Sequence, residues 1–159
     1  PTILSALGVK HTPAPGLPLD GRDAWAALAG AGDARASGPP RFWQWNRYTP
    51  VAQCNAAVRD GDWKLVHPAI PEAMTVPDIQ WLQVSMYRPE HFLEHGLVTE
   101  PEPARTLSAP RAPQLFNLRE DPGETRDLAD VHPGQASRLA AALAAWFERV
   151  EADRATIPS

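Results

Sequence analysis

The dipeptide Asp60-Gly61 constrains the fold most, because it separates two runs of residues that both have strand character. Residues 55–59 form the first run and residues 62–66 form the second. Asp-Gly between two such runs is the strongest short-range signal for a β-hairpin, since both central residues of the favoured turn have positive φ. The sequence therefore predicts an antiparallel hairpin at this point.

Three further elements complete the predicted domain. Residues 41–45 and 114–118 are rich in aromatic and apolar side chains and are typical of strands. Residues 121–124, Asp-Pro-Gly-Glu, predict a turn with Asp first and Pro second. A helix is predicted to open at Pro133, because apolar residues then recur at helical spacing, at Leu139, Leu143, Trp146 and Val150. The fold class is α+β, a small antiparallel sheet with a packed C-terminal helix.

The chain is predicted to have two parts. Residues 1–38 contain two short helices and a linker rich in Gly and Pro, and residues 39–159 contain the sheet and the long helix. No capping residue precedes the first helix, so we expect additional sequence upstream. The 18 prolines indicate much irregular chain, and many of them lie in a long insertion at residues 68–113.

Composition limits the classes of partner. The formal net charge of −4 argues against a nucleic-acid partner, and no apolar run is long enough to predict a membrane span. Cys54 is the single cysteine, which excludes an internal disulfide and a zinc site built from cysteines. These features leave a cytoplasmic or a periplasmic location open.

Five segments of the chain, taken in order, resemble the later part of the sulfatase family. They are a Pro-Thr-Ile-Leu helix ending at Gly8, a Leu-Asp-Gly step at residues 19–21, the hairpin at 57–66, a Leu-Phe-Asn-Leu strand with its Asp-Pro-Gly-Glu turn at 115–124, and the closing helix after His132. Each segment alone is weak. Their common order over nearly the whole chain makes the resemblance specific.

The resemblance implies a parent enzyme of the alkaline phosphatase superfamily that hydrolyses sulfuric esters. Residues 1–38 would be the end of its α/β catalytic domain, and residues 39–159 its C-terminal domain. The formylglycine nucleophile and the calcium ligands would lie in a missing N-terminal catalytic domain, which is the expected partner. The chain by itself is expected to lack sulfatase activity. A related phosphonate or phosphodiester hydrolase, and the identity of the substrate, stay open.

The same resemblance suggests where this chain would touch substrate. In sulfatases the loop between the first strand and the hairpin can reach the active-site cleft, which makes Arg47, Tyr48, Gln53 and Asn55 candidate substrate-binding residues. A guanidinium group suits a sulfate or a sugar carboxylate, because it forms two parallel hydrogen bonds to either group. Cys54 does not fit the formylglycine motif, since Val58 stands where that motif has arginine.

Two alternatives are weighed against this interpretation. His91 and His95 belong to a His-x-x-Glu-His motif, which on a helix would place two zinc ligands on one face. Its proline-rich surroundings and the lack of a marked third ligand make a surface helix the more common outcome. The other alternative is a stand-alone structural module that forms homo-oligomers through exposed apolar surface.

Overall fold

The structure, a computed structural model, describes residues 1–12, 19, 21–31, 38–75, 87, 90 and 104–157. The chain divides into two compact units, Pro1–Gly38 and Pro39–Ser159. His91 and His95, the two histidines of the His-x-x-Glu-His motif, lie outside the described residues.

The first unit contains two short helices, α1 (Thr2–Ala6) and α2 (Trp25–Leu28). The hydroxyl of Thr2 joins them, because it accepts a hydrogen bond of 2.9 Å from the backbone N–H of Ala24. Gly8 has a φ of 65° directly after α1, which is the left-handed conformation that ends a helix. The stop predicted at Gly8 is therefore present.

The second unit is built on a four-stranded sheet. Its strands are β1 (Arg41–Gln44), β2 (Ala56–Asp60), β3 (Trp63–His67) and β4 (Gln114–Asn117), hydrogen-bonded in the order β1-β2-β3-β4. Every neighbouring pair is antiparallel. A short helix, α3 (Pro71–Met74), follows β3, and the long helix α4 (Pro133–Arg154) closes the unit. The prediction of a small antiparallel sheet with a C-terminal helix is confirmed.

The hairpin turn differs in detail from the prediction. Asp60 pairs with Trp63, so the two central residues are Gly61 and Asp62, one position later than expected. Gly61 has a φ of 59°, whereas the φ of Asp62 is not positive. Glycine in the first central position is the pattern of a type II′ turn, in which the second residue keeps negative φ. The expectation that both central residues have positive φ is wrong for this reason.

Helix α4 packs on β2 and β3 and covers one face of the sheet, which we call the helix face. The core between them contains seven buried residues, which are Ala56, Val58, Leu65, Leu115, Leu128, Leu139 and Leu143. Phe42 stacks on Trp146 at the margin of this core, with ring centroids 5.3 Å apart. The predicted stripe of α4 is buried at Leu139 and Leu143, whereas Val150, near the C-terminal end of the helix, is 43% exposed.

Candidate anion-binding site

The segment between β1 and β2, residues 45–55, carries the four candidate substrate-binding residues, and we call it the β1–β2 loop. The side chain of Asn46 fixes its shape. The amide nitrogen of Asn46 donates hydrogen bonds to the carbonyls of Arg47 (2.7 Å) and Thr49 (2.9 Å). The amide oxygen accepts from the N–H of Val51 (2.9 Å) and from the side chain of Gln44. One side chain therefore replaces the backbone ladder that the loop lacks.

A second set of contacts fixes the loop against α3. The N–H of Arg47 donates to the carbonyl of Ala73 at 2.9 Å. Cys54 is 0% exposed, and its sulfur accepts a hydrogen bond of 3.2 Å from the N–H of Ile70. Cys54, Ile70 and Ala73 form a small buried cluster, against which Leu107 packs. The thiol is thus a structural group.

Arg47 presents a guanidinium group that has no anionic partner among the described residues. Its central carbon lies 4.8 Å from the centroid of the Trp45 ring, which is the geometry of a cation–π contact. Its Nε is buried and makes no hydrogen bond, and the side chain forms no ion pair with any residue in the described part of the chain. A buried donor without an acceptor is costly, so an incoming oxyanion would satisfy a group that the fold leaves open.

A second arginine lies beside Arg47 and was not predicted. Nη1 of Arg105 donates to the carbonyl of Arg47 at 3.1 Å, and its guanidinium lies 4.9 Å from the centroid of the Tyr48 ring. Tyr48 has a φ of 57° and is 41% exposed, so the loop turns sharply where this ring meets Arg105. No local pattern marks Arg105, which is 58 positions away from Arg47 and lies in the predicted insertion.

The other two candidates differ from each other. Asn55 has a φ of 47°, and its amide nitrogen donates to the carbonyl of Trp45 at 2.8 Å, so its side chain helps to close the loop. Its amide oxygen makes no hydrogen bond to the described residues. Gln53 is exposed and its side chain makes no hydrogen bond in the described part of the chain. The structure thus links Arg47, Tyr48 and Asn55 through Trp45 and Arg105, and leaves Gln53 apart.

An open groove of about 610 Å³ lies beside the loop. Its lining comes from the first three strands, the β1–β2 loop and α4, and consists of Phe42, Trp43, Gln44, Trp45, Asn55, Ala56, Ala57, Lys64, Val66 and Trp146. Trp45 belongs both to this groove and to the cation–π contact with Arg47. The groove therefore offers an apolar surface next to the guanidinium group.

Lys64 is held by an ion pair and is not a free ligand for an anion. Its Nζ lies 2.7 and 2.8 Å from the two carboxylate oxygens of Glu124. The side chain of Lys64 is 26% exposed and that of Glu124 is 32% exposed. The direct cross-strand neighbour of Lys64 in β2 is Arg59, a like charge, whereas its ion-pair partner Glu124 lies in the turn after β4.

His67, at the end of β3, is a buried titratable group that no motif in the sequence marks. It is 7% exposed, and its Nδ1 makes no hydrogen bond. Burial lowers the pKa of His67 below its ordinary value of 6.5, because the imidazolium ion loses hydration. The unfolded chain therefore binds this proton more tightly. The free energy of unfolding is therefore highest above the pKa that this histidine has in the unfolded chain. It decreases as the pH falls toward the lower pKa of His67 in the folded chain.

No group of three or more His, Cys, Asp or Glu side chains is placed to hold a metal ion within the described ranges. His91 and His95 are not among the described residues. None of the described helices has the length and apolar character to cross a membrane.

The fold class is thus a four-stranded antiparallel sheet with one packed helix, and solved structures of similar fold are known. The chain is similar to a solved Bacteroides thetaiotaomicron protein designated BT33336S-sulf, from work on the metabolism of multiple glycosaminoglycans by this bacterium. The identity is 19%, the TM-score is 0.48, and the match covers 89% of this chain and 22% of that protein. The chain therefore spans less than a quarter of the length of that protein. No protein-family model and no curated protein sequence matches the chain.

Proposed function

We propose that this chain is the C-terminal part of a sulfatase, and that its β1–β2 loop binds an anionic group of the substrate. One observation carries the second half of this proposal. The guanidinium of Arg47 is fixed against Trp45 and has no anion to neutralise it within the described residues. A positioned arginine without a carboxylate partner is suited to bind sulfate or carboxylate oxygens in pairs.

The first half of the proposal rests on sequence. Five ordered segments resemble the later part of the sulfatase family, and the observed α+β fold agrees with what that resemblance implies. Under this proposal the nucleophile and the calcium ligands belong to an N-terminal catalytic domain outside this sequence. When bound there, calcium would stabilise negative charge on the sulfate oxygens. The described residues offer no cluster of carboxylates that fits calcium, so no residue of this chain is assigned to it.

The loop residues then have separate roles. Arg47 would neutralise the anionic group, and Asn46 would hold the loop so that Arg47 keeps its position on Trp45. Tyr48 would offer its hydroxyl, and Asn55 its amide oxygen, to hydroxyl groups of the substrate. Gln53, which is exposed and unbonded, would contribute only if the bound substrate extends along the loop.

Two measurements test the two halves independently. The intact mass of the protein from its native source tests the parent enzyme, because a mass near 17.4 kDa would mean that there is no catalytic domain and would end the sulfatase proposal. A mass well above this value supports the proposal, and assays of the longer protein with an aryl sulfate and calcium should then show turnover. The present chain should show none.

Anion binding is tested with inorganic sulfate on the ¹⁵N-arginine-labelled chain. The Nε–H signal of Arg47 should shift in a saturable way, whereas that of Arg149, an exposed residue on α4, should follow ionic strength alone in a parallel chloride titration. Arg47→Lys should weaken binding, since lysine loses the paired geometry. An Arg47 signal that responds equally to sulfate and chloride would refute this half of the proposal.

A further inference from the structure

Residues 105–108, which we call the 105–108 segment, lie against both the β1–β2 loop and α3. Leu107 packs on the small buried cluster between the loop and α3. The hydroxyl of Ser108 donates a hydrogen bond of 2.8 Å to the carboxylate of Glu72 on α3. Contacts of its own therefore anchor the segment that carries Arg105.

Arg105 extends from this segment to the backbone of Arg47. Its Nη1 donates to the carbonyl of Arg47 at 3.1 Å and lies 3.5 Å from the carbonyl of Ala73. The carbonyl of Ala73 also accepts a hydrogen bond of 2.9 Å from the N–H of Arg47. One guanidinium nitrogen thus joins the loop to α3 at the residue whose side chain is proposed to bind the anion.

The backbone at Tyr48, the next residue of the loop, depends on its surroundings. Its φ of 57° lies in the left-handed region, which is costly for a bulky residue and persists only where neighbouring contacts hold it. The guanidinium of Arg105 lies 4.9 Å from the centroid of the Tyr48 ring, and a cation over the face of a ring is attracted to it. Without Arg105 the backbone at Tyr48 should relax, and Arg47 should leave its position on Trp45.

We infer that Arg105 is a positioning residue of the anion site, which holds Arg47 in the conformation that binds an oxyanion; this inference rests on the function proposed above. Arg105 does not bind the anion itself, because the carbonyl of Arg47 and the ring of Tyr48 already engage its guanidinium. Its effect is on populations. If loss of Arg105 leaves about one tenth of the free chain in the binding conformation, the apparent dissociation constant for sulfate rises about tenfold.

Sulfate titrations of ¹⁵N-arginine-labelled variants test this inference on the Nε–H signal of Arg47. Arg105→Gln should raise the apparent dissociation constant about tenfold, and saturating sulfate should bring the signal to the same final position as in the parent chain. Arg111→Gln is the matched control, because Arg111 is an exposed arginine that follows closely in the chain and its loss changes the net charge equally. It should change the dissociation constant less than about twofold, since solvent and salt screen its charge. Arg105→Lys keeps a donor and a cation for the ring of Tyr48, so its affinity should lie within about threefold of the parent.

The outcomes separate this inference from the proposed function. Equal dissociation constants for Arg105→Gln and Arg111→Gln would overturn the inference and leave anion binding by Arg47 standing. A different final position of the Arg47 signal would mean that Arg105 contacts the anion directly, which also overturns the positioning role. If Arg105→Gln does not fold, Ser108→Ala replaces it as the test. That variant releases the segment from Glu72 without changing either arginine and should weaken sulfate binding about two- to threefold, whereas an affinity equal to that of the parent would overturn the inference. An Arg47 signal in the parent chain that responds equally to sulfate and chloride would overturn both the proposed anion binding and this inference.

Discussion

The shape of the β1–β2 loop should depend on a single side chain, Asn46. Replacing Asn46 by Ala removes four hydrogen bonds, two donated to carbonyls and two accepted, one of them from the N–H of Val51. At a net value of about 0.5–1.5 kcal/mol each, and with the N–H of Val51 left unpaired, we expect a loss of about 2–6 kcal/mol in the free energy of unfolding. For a unit of this size the midpoint of thermal unfolding should fall by about 6–24 °C.

Urea and thermal unfolding of matched variants would measure this loss. Gln53→Ala is the control, because Gln53 lies in the same loop, is exposed and makes no side-chain hydrogen bond, so its change should stay within about 0.5 kcal/mol. Asn46→Asp keeps the two accepted bonds and loses the two donated ones. Its loss in the free energy of unfolding should therefore lie between that of the control and that of Asn46→Ala. If Asn46→Ala unfolds within about 0.5 kcal/mol of the parent chain, the loop is held by other contacts and the reasoning is wrong.

Three further substitutions test the core, the ion pair and the buried histidine. Leu139→Ala should cost about 2–5 kcal/mol, because Leu139 is 0% exposed, whereas Val150→Ala, on the same helix but 43% exposed, should cost less than about 0.5 kcal/mol in urea unfolding. Glu124→Gln should cost about 1 kcal/mol through the loss of charge beside Lys64, and a cost unchanged in high salt would contradict an ionic origin. Burial lowers the pKa of His67, so the parent chain should lose free energy of unfolding as the pH falls from about 7 to 5, and His67→Gln should lose less. If the free energy of unfolding falls equally with pH in both chains, His67 does not cause the loss.

Local patterns in the sequence predict much of this fold. The hairpin follows from Asp60-Gly61 between two strand-like runs, and the C-terminal helix follows from the spacing of Leu139 and Leu143. These signals are local, since a turn or a helical face is set by residues within a few positions of each other. The one-residue error in the turn arises because the positive φ of Gly61 is accommodated equally well in a type II′ turn, which needs a single such residue.

The candidate site is less predictable because it depends on distant pairs. Arg105 reaches the carbonyl of Arg47 over 58 positions, and Glu124 reaches Lys64 over 60 positions. The positive φ of Tyr48 has no signal in the sequence either, since an aromatic residue seldom adopts this conformation. It persists because Asn46 and the contacts with α3 fix the loop on both sides.

The alternation of residues along each strand predicts which side chains share a face of the sheet, but it does not predict which face is covered. Phe42 and Trp43 are neighbours of similar size, yet Phe42 stacks on α4 and Trp43 is half exposed. The charge pattern distinguishes the two faces. The cation at the hairpin end of the helix face, Arg138 of α4, pairs with Asp60 at 2.8 Å, whereas Arg41 and Arg59 on the opposite face of the sheet form no ion pair within the described chain. Exposed arginines are hydrated and need no partner, so the two faces differ because α4 covers one of them, and no local pattern in β1 indicates which one that is.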